Sequence, residues 1–181
     1  MRALLALVLL AAAAWCADPP TATVAKVFDQ QVTMLEKEIV PLAEAMPADK
    51  FEFAPTQGEF KGVRTFAQQI SHTAAVIYMM SARVLGEKNP SEAGKDENGP
   101  AGLKTREDVI QYLKDSLVYA HKAMGSLTEK RLVTPVAVGS GNRKQMPLFF
   151  ANVVLWHSFD HYGQMVVYAR MNGIIPPASR K

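Results

Sequence analysis

The sequence predicts an all-α protein whose domain is a four-helix bundle. Four segments carry apolar residues at the three- and four-residue spacing of amphipathic helices, and stretches rich in glycine, proline and polar residues separate them. Strand-type alternation is confined to residues 133–138. Residues 1–17 are predicted to be a signal peptide and residues 21–178 the bundle, which is long enough for one domain with a sizeable core.

The first predicted helix covers residues 21–46 and precedes an irregular linker. Its apolar residues recur every three or four positions along one face. Pro41 lies within this pattern and is expected to kink or divide the helix, because proline lacks the backbone N–H that a helix needs. Residues 47–62 contain proline, glycine and several aromatic residues, which predicts a linker. Thr65 and Gln68 then form a capping box that starts the second helix.

The second and third predicted helices flank a polar stretch. The second helix extends to about Gly86. Residues 87–103 hold glycine, proline, asparagine, serine and charged residues, which predicts a solvated, mobile loop. Thr105 and Asp108 repeat the capping pattern at the start of the third helix, which has one apolar face and ends near Ser126.

The fourth predicted helix follows a long crossing loop. Residues 133–145 include proline and glycine and are expected to form this loop, with room for a short extended piece. Pro147 suits the first turn of a helix, and Gly173 followed by Pro176 marks the helix end.

The N-terminus has the composition of a secretory signal peptide. One arginine precedes an apolar stretch at residues 3–14, which is too short to span a bilayer. Cleavage is expected after Ala14 or Ala17, so the protein is predicted to be periplasmic or extracellular. Cys16 offers a lipoprotein alternative, but the bulky Trp15 before it disfavours lipid attachment. If Cys16 leaves with the signal, the mature chain has no thiol, which excludes cysteine-based chemistry.

Charge and hydropathy exclude two classes of partner. The chain has a formal net charge of +3 at pH 7, and loss of one arginine with the signal leaves about +2. The lysines and arginines are spread without a basic run, so nucleic acid is not an expected partner. Charged and polar residues interrupt the apolar run at residues 148–171, so no integral membrane span is expected in the mature chain.

Two histidines on the fourth helix are the first candidates for a functional site. His157 and His161 lie four residues apart on a stripe of apolar residues, so both rings face the core. An unsatisfied buried ring costs about 1–3 kcal/mol, so each needs a hydrogen-bond partner or a metal ion. His72, in an apolar part of the second helix, provides a third ring, because bundle cores hold metals with ligands from neighbouring helices. Three neutral imidazoles leave a coordination position open, which is typical of a reactive metal site.

Nearby residues have alternative interpretations. His121, at the edge of the third helix's apolar face, is interpreted as a surface or packing residue, with a fourth-ligand role as the alternative. Asp160 and Gln164 either orient a ring or a bound water, or face solvent. Ser158 stands where a zinc metallopeptidase helix carries glutamate, which disfavours that class. No Cys-x-x-Cys-His motif marks covalent haem, but a non-covalent haem bundle with His and Met ligands stays as an alternative.

The three histidines lie in segments that are similar to those of a known family. Residues 157–164 read HSFDHYGQ, and residues 173–177 read GIIPP. Residues 66–75 surround His72 in the second helix. With four helices in this order, residues 24–177 resemble the DinB-like family, also called the DinB/YfiT-like metalloenzymes.

This resemblance implies an up-down-down-up bundle that binds a divalent ion, most often zinc or nickel, through His72, His157 and His161. Members are often dimers; some transfer bacillithiol or mycothiol, and others are described as hydrolases. The predicted export weakens the thiol-transferase interpretation, because such thiols are cytosolic. We therefore expect a metal-dependent hydrolase or transferase that acts on an unidentified small molecule. The alternative is a non-catalytic bundle in the cell envelope that binds a metal or a small ligand.

Overall fold

Helices dominate the computed structural model, which describes residues 22–139 and 142–180. The α-helices of this part are α1 (Val24–Ala45), α2 (Phe66–Leu85), α3 (Arg106–Gly125), α4 (Glu129–Val133) and α5 (Pro147–Met171). Short 3-10 turns occur at Ala48–Lys50, Lys95–Glu97 and Pro177–Ser179, and β1 (Val136–Ala137) pairs antiparallel with β2 (Lys144–Gln145). The predicted all-α class is confirmed, whereas the predicted signal peptide, residues 1–17 with Cys16, lies outside the described residues.

The helix ends follow from local hydrogen bonding. The hydroxyl oxygens of Thr65 and Thr105 each accept a hydrogen bond from the backbone N–H three residues later in the chain. The side chain at that later position in turn accepts a hydrogen bond from the backbone N–H of the threonine. Both predicted capping boxes are therefore formed. α2 ends at Gly86, whose φ of 74° is the left-handed conformation that favours glycine. Pro147 occupies the first turn of α5, as expected.

α1 runs through Pro41 without interruption. The sequence predicted a kink or a division at this proline, and the division is wrong, because the helix continues to Ala45. Proline in a helix interior costs about 3 kcal/mol or more. Leu35, Ile39 and Leu42 are fully buried on the core side, and burial of each such side chain contributes about 1.5–3 kcal/mol. Core packing on both sides of Pro41 therefore outweighs the lost hydrogen bond.

Hydrogen bonds near the helix ends fix the up-down-down-up order. The segment just after α1 accepts backbone hydrogen bonds from the start of α2. Arg106, at the start of α3, donates to the carbonyl of Met46, which also follows α1. α2 and α3 therefore both run antiparallel to α1. Tyr168, near the end of α5, donates to the carbonyl of Arg64, just before α2, so α5 runs antiparallel to α2 and parallel to α1.

This order determines the connections. α1 and α2 each pack against both α3 and α5, and the core lies between these four helices. Because α2 and α3 are parallel, residues 86–105 must return along the length of the bundle. The short β1–β2 pair is the extended piece allowed for in residues 133–145, but no sequence pattern predicted α4. Within residues 22–139 and 142–180, no helix combines the length and the hydropathy of a transmembrane span.

Candidate metal centre

Three histidines meet between α2 and α5. His72 lies in the second turn of α2, and His157 and His161 lie one turn apart on α5. Because the two helices are antiparallel and in contact, the first turns of α2 face the middle and the second half of α5. Each ring offers one nitrogen, and these three atoms lie within 4.8 Å of one another. The structure thus brings together all three histidines that the sequence singled out.

The distances between the rings suit a shared ion. Nε2 of His72 lies 3.1 Å from Nε2 of His157, and the three pairs of ring centroids are 5.1, 4.7 and 4.5 Å apart. With metal–nitrogen bonds of about 2.1 Å, two nitrogens on one ion are about 3.4 Å apart in tetrahedral geometry and about 3.0 Å apart in octahedral geometry. The observed Nε2–Nε2 separation lies between these values. This pair of nitrogens is therefore spaced as two ligands of one divalent transition-metal ion, and its separation does not distinguish zinc from nickel.

The connection between α2 and α3 touches the site. Nδ1 of His72 lies 3.0 Å from the backbone carbonyl of Glu97, which only accepts, so Nδ1 carries the proton and Nε2 carries the lone pair, which accepts from Nε2 of His157 at 3.1 Å. Arg64 holds this segment by donating to the side chain of Asn98 and the carbonyl of Asp96. Asp96 and Glu97 have φ values of 54° and 57°, a strained conformation for residues other than glycine. The composition of this loop gave no indication of its contact with His72.

A chain of side-chain hydrogen bonds reaches His161. Its Nδ1 is hydrogen-bonded to Oε1 of Gln69. Nε2 of Gln69 donates to Oε1 of Gln164 over 3.0 Å, and Nε2 of Gln164 donates to the Asp160 carboxylate over 3.1 Å. Asp160 and Gln164 therefore reach the ring through Gln69, a residue that sequence reasoning missed. A glutamine three residues before His72, on the same face of the helix, was the available signal.

Burial keeps the three rings neutral. It lowers the pKa of His72, and it lowers the pKa of His157 with a further contribution from the neighbouring His72 ring. Burial also lowers the pKa of His161 to about 4, because the other two rings add to the cost of a positive charge there. Neutral imidazole is the form that binds a metal ion, so all three rings are ready to act as ligands at neutral pH.

His121 lies in another part of the bundle. Its Nδ1 lies 2.6 Å from a carboxylate oxygen of Asp29, and its Nε2 lies 3.3 Å from one of Glu36, both on α1. Burial lowers the pKa of His121, but the hydrogen bonds to the two carboxylates outweigh this effect and raise the pKa overall. His121 therefore links α3 to α1 and is not part of the three-histidine cluster. This agrees with the surface or packing role preferred from the sequence and not with the fourth-ligand alternative.

Comparison with known families decides the affiliation. A family model described as the DinB superfamily matches residues 31–165, which include His72, His157 and His161. The chain belongs to the DinB superfamily. The resemblance drawn from the sequence is thus confirmed. No curated protein matches this DinB superfamily member significantly.

Solved structures share the fold of this DinB superfamily chain. A DinB-like protein from Bacillus cereus ATCC 10987 has a TM-score of 0.62 at 19% identity, covering 83% of this chain and 93% of its own. A conserved protein from Enterococcus faecalis has a TM-score of 0.64 at 11% identity, with 83% and 98% covered. A DinB-like protein from Bacillus subtilis has a TM-score of 0.61 at 16% identity, with 84% and 99% covered. At these identities the similarity establishes the fold alone.

Proposed function

We propose that this chain binds a divalent transition-metal ion, zinc or nickel, through His72, His157 and His161, and acts as a metal-dependent enzyme on a small molecule. The observation that carries the proposal is the convergence of three neutral imidazoles from two helices on one point. A buried group of polar rings costs stability unless its nitrogens are satisfied. A shared ion satisfies them together.

The protein's own residues orient the ligands. The Glu97 carbonyl and the Gln69 side chain each hold an Nδ1, which places the lone pairs of His72 and His161 on their Nε2 atoms. These atoms would bind the ion in place of the 3.1 Å contact between His72 and His157. A divalent ion held by these three imidazoles would supply a Lewis acid for a bound water or substrate. Because the chain is expected to be exported, away from cytosolic thiols, we favour a hydrolase over a thiol transferase.

A non-catalytic role is the second candidate. The charges of Arg64 and Asp160 act on the histidine rings, but both side chains are engaged, Arg64 by the 96–98 segment and Asp160 by Gln164. Among the described residues, none of the three rings is hydrogen-bonded to a charged side chain that could relay a proton, which favours a bundle that only binds a metal or a small ligand.

Elemental analysis of the purified protein, with an absorption spectrum, tests the metal site. We expect about one equivalent of a divalent ion, since one three-histidine cluster forms one site. His157→Ala should lose this ion, whereas His121→Ala, at a histidine outside the cluster, should keep it. Absence of metal from the protein as purified and after incubation with zinc and nickel would contradict the proposal. A Soret band would identify haem instead.

Activity separates the two candidates. Metal-free and reloaded protein should be compared on ester, amide, phosphoester and thiol-transfer substrates. Turnover that disappears on chelation, returns on reloading and is lost in His157→Ala supports the enzyme. Full metal occupancy without turnover on any of these substrates supports the binding protein.

A further inference from the structure

The polar side chains beside His161 form a hydrogen-bond chain with a defined direction. It begins at Asp160, which is exposed on α5, passes through half-buried Gln164 one turn later, crosses to Gln69 on α2 and ends at the buried His161 ring. The chain therefore joins the two helices that carry the metal-ligand candidates and runs from solvent into the core.

Gln69 is a polar residue at a buried position of α2. Its side chain is 2% exposed and lies on the buried side of α2, whereas the adjacent Gln68 is exposed. A buried primary amide is costly unless both its oxygen and its nitrogen are hydrogen-bonded. Both are bonded here, the oxygen to His161 and the nitrogen to Gln164. The site therefore uses both ends of this side chain.

The direction of the chain follows from the chemistry of its first member. An ionised carboxylate only accepts hydrogen bonds, so Gln164 must turn its NH₂ group to Asp160 and its oxygen to Gln69. Gln69 must then give its NH₂ group to Gln164 and present its oxygen to His161. A carbonyl oxygen accepts only from a protonated nitrogen, so the proton of neutral His161 must lie on Nδ1.

We propose that Asp160, Gln164 and Gln69 are positioning residues that select the Nδ1–H tautomer of His161 and so direct its Nε2 lone pair to the metal. The functional reason for this selection rests on the proposed metal-binding function. The tautomer itself, however, is a property of the metal-free protein. The Nδ1–H group of His72 is likewise held by a carbonyl oxygen, so the same tautomer would be selected at one ligand on α2 and one on α5.

Nitrogen NMR of the metal-free full chain tests the tautomer. Long-range ¹H–¹⁵N spectra of ¹⁵N-histidine-labelled protein at pH 7.5 distinguish a protonated from an unprotonated ring nitrogen. We expect His161 with Nδ1 protonated in the wild type. In Gln69→Leu we expect a mixture of tautomers or the Nε2–H form, together with a zinc affinity lower by about 10–100-fold, as for loss of other residues that orient metal ligands.

Matched variants keep the test decisive. Gln111→Leu is the control, because Gln111 donates to Asp115 one turn later on α3 and takes no part in the chain to His161. It should leave the tautomer and the zinc affinity unchanged. Gln69→Glu retains an acceptor opposite Nδ1 and should preserve the Nδ1–H form. If Gln69→Leu does not fold, Gln164→Leu at the half-buried position should instead release Gln69 and yield mixed tautomers.

The outcomes distinguish this proposal from the metal-binding one. An Nε2–H form of His161 in the wild type, or an unchanged Nδ1–H form in folded Gln69→Leu, overturns the tautomer proposal even if zinc binds. The expected tautomers without zinc binding overturn the metal-binding function and leave the selection of the tautomer intact.

Discussion

A divalent ion is expected to stabilise the wild-type fold against heat. The three ligands join α2 to α5, which are distant in sequence and adjacent only in the folded chain, so the ion binds the native state selectively. The added stability is RT ln(1 + [L]/Kd), or about 2.7 kcal/mol when the free ion is at 100 times its Kd. For a domain of this length, that corresponds to a rise in Tm of roughly 5–11 °C.

Thermal unfolding of metal-free protein with added zinc or nickel measures this effect. The wild-type Tm should rise with ion concentration and return to its starting value when a chelator is added. His157→Ala should show little of the increase, whereas Asn152→Ala, at an exposed position on the same helix, should behave as the wild type. Equal increases for the wild type and His157→Ala would refute the reasoning, because the ion would then bind elsewhere.

Three further predictions concern the rest of the bundle. The raised pKa of His121 means that its stabilising contribution, about 1 kcal/mol at most for a partly exposed ion pair, is full below about pH 6.5. It is lost as pH rises through the folded-state pKa. Urea unfolding of His121→Gln should lack this loss, and an identical pH dependence would contradict the assignment. Thr105→Ala should lower the free energy of unfolding by about 1 kcal/mol through loss of the cap, and no change in the urea midpoint would argue against it. In Gly94→Ala the new Cβ would lie 1.8 Å from the carbonyl oxygen of Gly99, so the turn at residues 95–97 must move and the zinc affinity should fall. An unchanged Kd for zinc would show that this turn does not support the site.

Local signals explain why the helices could be predicted. Capping boxes at Thr65 and Thr105, glycine at position 86 and proline at position 147 each act through hydrogen bonds within a few residues. The division expected at Pro41 does not occur, because the cost of the proline is local, whereas the packing that outweighs it comes from other helices. α4 has only five residues, too few for a periodic pattern.

The candidate site was predictable only in part. His157 and His161 share a helix face, so their proximity follows from spacing alone, and a third ring on a neighbouring helix follows from the bundle. The supporting contacts depend on tertiary structure. The Glu97 carbonyl meets His72 because the parallel α2 and α3 force residues 86–105 back along the bundle. Gln69 is recognisable as functional only once α5 is packed against it.

X-ray absorption spectroscopy of the metal-loaded wild-type protein tests the central claim most directly. The extended fine structure reports the number and type of atoms bound to the ion. We predict three imidazole nitrogens at about 2.0–2.1 Å with the remaining positions filled by oxygen. A first shell with one imidazole or none, or one containing sulfur from methionine, would contradict the three-histidine centre.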